Sequence, residues 1–158
     1  MKKKLLVVGG TGCVGSHIHV ALESDYEIRS SGSEVDVRNA GHLREFVASH
    51  APDDVVHLAA ITTVGESFQD PETTYQVNFI GTLHLLEALR QCEFKGKVLY
   101  VGSSEVYGSP LEAQLPVIEG CPLKPQNPYA VSKMAAEALC YQWSQHERFE
   151  IVMARPFN

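Results

Sequence analysis

The apolar run Leu5-Leu6-Val7-Val8 leads without a break into Gly9-Gly10-Thr11-Gly12-Cys13-Val14-Gly15, after which Val14, Ile18 and Leu22 recur at helical spacing. Strand, glycine turn and helix in that order leave few folds open, because the helix must begin where a tight turn ends. Gly10, Gly12 and Gly15 satisfy the pattern G-x-G-x-x-G, and Gly9, Gly12 and Gly15 form a second, evenly spaced set. Glycine suits such positions because the backbone must turn, approach a pyrophosphate and let helix and strand pack closely. The phosphate would then meet free N–H groups and the positive end of the helix. A glycine-rich hairpin is the competing reading, and the flanking strand and helix disfavour it. The expected fold is α/β, a Rossmann-like doubly wound parallel sheet. Gly9, Gly12, Cys13, Val14 and Gly15 are its candidate dinucleotide contacts.

Further segments fit the same plan. Tyr26 to Ser31 reads as a second strand ending where an adenosine ribose would lie. An acid there suits NAD, whereas a 2'-phosphate calls for a cation and small hydroxyls. Arg29, Ser30 and Ser31 occupy the place, so NADP(H) is favoured and NAD(H) stays open. Asp36, with Val37 beside it, is placed to meet the adenine amino group or to form a turn. Asn39 caps a helix with Leu43, Phe46 and Val47 inward. Val55 to Ala60 reads as a third strand; its two terminal alanines, Ala59 and Ala60, let a cofactor pass close to the backbone or simply pack tightly, and Leu58 beside them is a further candidate cofactor contact.

Asp70-Pro71-Glu72 starts a helix expected to run to about Gln91. Asn78 and Gly81 within it predict a buried hydrogen bond and a close crossing. Val98 to Val101 leads into Gly102-Ser103-Ser104-Glu105. Ligands of parallel sheets sit beyond the carboxyl ends of strands, so these hydroxyls and this carboxylate are candidates for chemistry, with turn-forming serines as the alternative. Five of the eight prolines fall between Gly108 and Pro128, and this stiff loop reads as a substrate wall. Asn127 and Pro128 mark the start of a last long helix, with Tyr129 and Lys133 one turn apart on one face. A cation there favours the phenolate, so Tyr129 can pass a proton to or from a hydroxyl or carbonyl; a packed tyrosine beside a solvated lysine is the competing reading of the spacing alone. Glu150 to Ala154 reads as a fifth strand.

With 158 residues and 44% hydrophobic content, one domain around one core is expected. A net charge of −6, with no basic run beyond Lys2-Lys3-Lys4, argues against nucleic acid or an anionic membrane surface as partner. No apolar stretch is long enough to span a bilayer. Cys13, Cys92, Cys121 and Cys140 are scattered without a C-x-x-C pair, which suits reduced thiols and a cytoplasmic location. His17 and His19 would point to different sides of a helix, so no metal site is expected.

Taken together, Gly9 to Gly15, His57-Leu58-Ala59-Ala60, Val77-Asn78-Phe79-Ile80-Gly81-Thr82, Ser103-Ser104-Glu105-Val106-Tyr107-Gly108, Pro128 to Lys133 and Ala154-Arg155-Pro156-Phe157-Asn158 resemble motifs of the extended short-chain dehydrogenases/reductases, the NAD-dependent epimerase/dehydratase family. They come in the family's order and span essentially the whole chain. Within the nucleotide-sugar-modifying branch, the chain looks most like the reductases of GDP-4-keto-6-deoxyhexoses, with GDP-mannose 4,6-dehydratases close behind.

The resemblance implies that Tyr129 is the acid/base and that Lys133 binds the nicotinamide ribose and keeps Tyr129 ionisable. Ser103 would bond the sugar C4 oxygen, and Ser104 would lie beside the substrate. Glu105 stands where dehydratases, and some reductases, keep a carboxylate, and Asn158 would face the sugar or diphosphate. A nucleotide sugar, with GDP favoured, is the implied substrate. A homodimer through helices 72–91 and 128–145 is the implied assembly. Family members continue past the Arg-Pro-Phe-Asn segment into further strands and a substrate domain, so residues 1–158 are expected to form the dinucleotide-binding domain alone. A 4,6-dehydratase or 4-epimerase, and a cofactor-binding module without turnover, remain alternatives.

Overall fold

The structure, a computed structural model, describes residues 2–157. Five strands, β1 (Lys3–Val8), β2 (Tyr26–Ser30), β3 (Asp54–His57), β4 (Lys97–Val101) and β5 (Glu150–Ala154), form one parallel sheet in the order β2-β1-β3-β4-β5. The order reverses between β1 and β3, and a ligand crevice is expected there, beyond the strand ends. Leu5 and Val7 face one side of the sheet and Leu6 and Val8 the other, as the pleat requires, and all four are buried.

Helix α1 (Cys13–Leu22) covers the first face through Ile18 and Leu22. Val14 departs from the expected inward stripe. It is 59% exposed, because the first turn of α1 stands at the mouth of a cleft and not over the sheet. The second face packs on α2 (Ala40–His50), α5 (Gly81–Gln91) and α6 (Pro128–Ser144) through Leu43, Val47, Leu85, Leu89, Ala136 and Cys140. Asn39, Asp70 and Asn127 cap α2, α4 (Pro71–Tyr75) and α6 through their side-chain oxygens.

The long helix expected from 72 to 91 is interrupted. Between α4 and α5 the chain makes a π-helical turn, Gln76–Ile80, which turns Asn78 into the interior. A Cβ on Gly81 would stand 2.5 Å from Val37 Cγ2, the close crossing its glycine predicts. An additional helix, α3 (Val64–Gln69), escapes the sequence reading because β-branched residues and Gly65 hide its periodicity. The proline-rich loop also differs from expectation. It folds back on the 3₁₀ turn Ser104–Tyr107 through the Lys124 amide and Val106 carbonyl (2.9 Å). There it helps line a separate cavity of about 350 Å³ with Tyr107, Arg155 and Phe157 and contributes no wall to the main cleft. Among the described residues no helix is long and apolar enough to cross a membrane, and no His, Cys, Asp or Glu cluster could hold a metal.

Candidate active site

A cleft of about 910 Å³ opens at the carboxyl ends of β1, β3 and β4. The glycine turn forms one part of its lining. Gly9 has φ +82°, and a Cβ there would stand 2.5 Å from the Ala59 nitrogen, so the turn and the end of β3 touch backbone to backbone. A Cβ on Gly15 would overlap the Gly10 backbone, which is how closely α1 approaches the turn. The direction of a Cβ on Gly12 is open, its nearest neighbour being the Gly9 carbonyl oxygen at 3.7 Å. No side chain caps α1, so the N–H groups at its start, on Cys13, Val14 and Gly15, keep no partner within the helix. Orphan donors around a floor without side chains fit a pyrophosphate. Gly9, Gly12, Cys13, Val14, Gly15, Leu58, Ala59 and Ala60 all line the cleft.

At the end of the cleft beside β2, where an adenosine was expected, the structure brings Asp36 and Val37 to the lining but not Arg29 or Ser30. Arg29 lies over the Phe46 ring (4.9 Å) and donates to Ser49 Oγ (3.0 Å), both on α2. Ser30 Oγ is buried against Gly10 and has no hydrogen-bond partner, while Ser31 Oγ accepts the Gly9 amide (3.1 Å). The side chains of β2 thus serve the packing of its neighbours, and the loop beyond the strand supplies the rim. Sequence reasoning missed the cation of that rim, Arg38. Its guanidinium clasps both oxygens of Asp36 at 2.7–3.0 Å and holds the Asp36 carboxyl below its ordinary range. Glu34 is turned back onto the Gly32 amide (2.7 Å). An Asp-x-Arg spacing was the available signal, obscured by uncertainty over where β2 ends.

At the other end, Ser103, Glu105, Tyr129 and Lys133 line the same cleft. Ser104 does not join them. It begins a 3₁₀ turn, and its amide is tied to the Pro156 carbonyl (3.1 Å). Asn158 lies outside the described residues. Tyr129 and Lys133 are 8% and 5% exposed, held by the well-capped start of α6. Asn78 fastens this helix to the loop after β3. Its side chain bonds both the amide (2.8 Å) and the carbonyl (3.0 Å) of Ile61, and donates to Ser132 Oγ (2.9 Å). Ser132 in turn donates to the Tyr129 carbonyl (2.7 Å). Thr82 donates to the Asn78 carbonyl (2.7 Å), so its oxygen accepts from His57 Nε2 (2.9 Å). Burial pulls His57 down to about 3, and it is neutral at physiological pH.

Lys133 Nζ donates to the Val101 carbonyl (2.8 Å) and stands 5.3 Å from the centre of the Tyr100 ring. Burial pulls its pKa down to about 8 from 10.5. Between those values the unfolded chain binds more protons at Lys133 than the folded chain, so this residue's contribution to stability rises with pH. Below about 8 its full desolvation penalty is present. Lys133→Met is therefore expected to be more stable than wild type at pH 7, by up to ~3 kcal/mol, with the gap closing towards pH 10.5. Urea titrations across this range measure it, and a pH-independent gap would show that water reaches the ammonium.

Comparison with known proteins agrees with this fold. Residues 5–158 match the family described as NAD dependent epimerase/dehydratase. The chain is 42% identical over 161 residues to a GDP-6-deoxy-D-mannose reductase of Pseudomonas aeruginosa, covering 100% of this chain and 53% of that protein. It is 32% identical over 184 residues to UDP-glucose 4-epimerase 2 of Oryza sativa, covering 99% and 44% respectively. Among solved structures, RMD from Pseudomonas aeruginosa complexed with NADPH superposes with a TM-score of 0.92 at 41% identity, over 99% of this chain and 54% of that one. UDP-glucose 4-epimerase from Brucella ovis in complex with NAD gives 0.89 at 32% identity, over 99% and 52%. The chain spans about half the length of the relatives it matches. With a parallel sheet, a glycine cradle and a Ser-Tyr-Lys end in one cleft, and a family match over nearly its whole length, the chain belongs to the NAD dependent epimerase/dehydratase family.

Proposed function

We propose that this chain carries the cofactor-binding and proton-transfer residues of an NADP(H)-dependent nucleotide-sugar reductase acting at C4 of a GDP-4-keto-6-deoxyhexose. The observation that carries the reading is that Ser103, Tyr129 and Lys133 share one cleft with the glycine turn. Bound there, a nicotinamide dinucleotide supplies the hydride. The chain's own residues handle the oxygen and the proton. Ser103 Oγ accepts the Glu105 amide (3.2 Å), which leaves its hydroxyl proton to donate to a sugar carbonyl. Tyr129 gives its proton to that oxygen as negative charge develops. One of the three Lys133 protons is engaged by Val101, and two remain for a cofactor hydroxyl and the new phenolate. Arg38 and Ser33 on the adenosine rim support NADP(H), as does the likeness to a reductase structure holding NADPH.

A 4,6-dehydratase or 4-epimerase that regenerates its cofactor is the second reading, favoured by the Glu105 carboxylate in the cleft and by the epimerase relatives. The full-length protein, given NADPH and a GDP-4-keto-6-deoxyhexose, is expected to consume one NADPH per sugar reduced, and NADH at least about tenfold more slowly. Sugar conversion without net NADPH oxidation would establish the second reading, and tight cofactor binding without conversion would leave a binding module. Sedimentation of the same sample is expected to show a homodimer, which would cover the exposed Phe68, Tyr75 and Tyr141 of α3, α4 and α6. A monomer at high concentration would remove that part of the proposal.

A further inference from the structure

Asn127 uses both ends of its side chain. Oδ1 accepts the Ala130 amide (2.7 Å) and closes the first turn of α6, while Nδ2 donates to Glu105 Oε2 (3.1 Å). The two bonds fix each other's sense. Since Oδ1 must face an N–H, the NH₂ must face the carboxylate, and the amide cannot be flipped without losing both. Among the described residues no cation pairs with Glu105. Its carboxylate is exposed at the cleft, on a short 3₁₀ turn rather than a rigid element, and nothing else found in the structure holds its side chain. Ser103 Oγ, the Glu105 amide and carboxylate, and Asn127 therefore form one continuous link. That link ends two residues before Tyr129, on the same helical turn.

We propose that Asn127 is a positioning residue: it ties the Glu105 carboxylate to the turn of α6 that carries Tyr129. The two groups that face a substrate from different elements are thereby kept at a constant separation. Held through Oε2, Glu105 presents Oε1 as an acceptor for a sugar hydroxyl. This last role rests on the reading of the cleft as a nucleotide-sugar site. An ordinary helix cap needs only an acceptor, and serine or aspartate would serve as well as asparagine. Only the Nδ2 donor requires the amide.

That separation of roles makes the test. Asn127→Ser keeps a cap acceptor and is expected to retain the wild-type thermal midpoint, but its shorter side chain no longer reaches Glu105. Asn127→Asp keeps the acceptor too, but sets a second carboxylate against Glu105 and is expected to drive that side chain away. In Asn127→Ser, the carboxyl carbon resonance of Glu105 is expected to move, as read by NMR on this chain. In the full-length enzyme, Asn127→Ser and Glu105→Gln are each expected to raise the KM for the sugar nucleotide by about tenfold, with a smaller change in kcat. The double variant is expected to be no worse than Glu105→Gln alone. An unmoved Glu105 resonance, or KM effects that simply multiply, would overturn the positioning role. If the resonance moves while Glu105→Gln binds substrate normally, the positioning stands and the substrate reading of Glu105 fails.

Discussion

Tyr129→Phe in the full-length protein is expected to lower kcat by roughly 10²- to 10⁴-fold while changing NADPH affinity by less than about threefold. The ring is nearly buried, and phenylalanine fills the same space at the start of α6. Lys133 keeps its place without the phenol, because Nζ is anchored on the Val101 carbonyl (2.8 Å). The change thus removes one proton donor and leaves the cofactor cradle intact. Single-turnover reduction of the keto sugar measures the loss, and a fluorescence titration measures cofactor binding. Retention of more than a tenth of wild-type kcat would assign the proton to another group. A matching loss of cofactor affinity would make Tyr129 a binding residue first.

The second large effect concerns stability. Arg155, just past β5, donates from Nε to both carboxylate oxygens of Glu137 on α6 (2.9 and 3.1 Å) and from Nη2 to Oε1. From Nη1 it reaches Tyr107 Oη (2.6 Å) and the Glu119 carbonyl (3.3 Å). The side chains of the pair are 18% and 13% exposed, so water does little to screen it. Glu137→Ala leaves a nearly buried guanidinium without its counter-charge and is expected to cost about 3 kcal/mol. For a domain of this size that lowers the melting temperature by roughly 6–12 °C. Glu137→Leu combined with Arg155→Met is expected to recover most of the loss, since apolar packing replaces a pair that is expensive to desolvate. Urea unfolding of the three proteins decides it, and a loss below about 1 kcal/mol in the single variant would mean that the pair behaves as a surface one.

The parts of the molecule legible in the sequence are those where one residue type answers one backbone demand. The strand–glycine–helix start, the capped beginnings of α2, α4 and α6, the buried Asn78 and the crowded Gly81 are of this kind. Ala59 and Ala60 were legible as cleft residues because small residues at a strand end admit a neighbour. Where a role depends on which way a side chain turns, the sequence was silent. Arg29 and Arg38 are both cations near the end of β2, yet one lies on Phe46 and the other clasps Asp36 at the cleft. Ser103 and Ser104 are chemically identical neighbours, separated by the onset of a 3₁₀ turn. The proline-rich loop showed its stiffness in the sequence but not its direction, which the Lys124–Val106 bond sets.

Every ladder of the sheet is parallel, so neighbouring strands cannot pair until a whole crossover has been laid down between them. In the sheet, β3 and β4 stand beside β1 and ahead of the strand that follows α6, so the glycine turn and Tyr129 are brought together by contacts far apart in sequence, the kind that form slowly. A dinucleotide spanning the glycine turn and Tyr129 would recognise the completed sheet, and by mass action would draw the folding equilibrium towards it. A ligand that needs both ends of the cleft at once thus acts as a clamp on the whole sheet, and not only on the residues it touches.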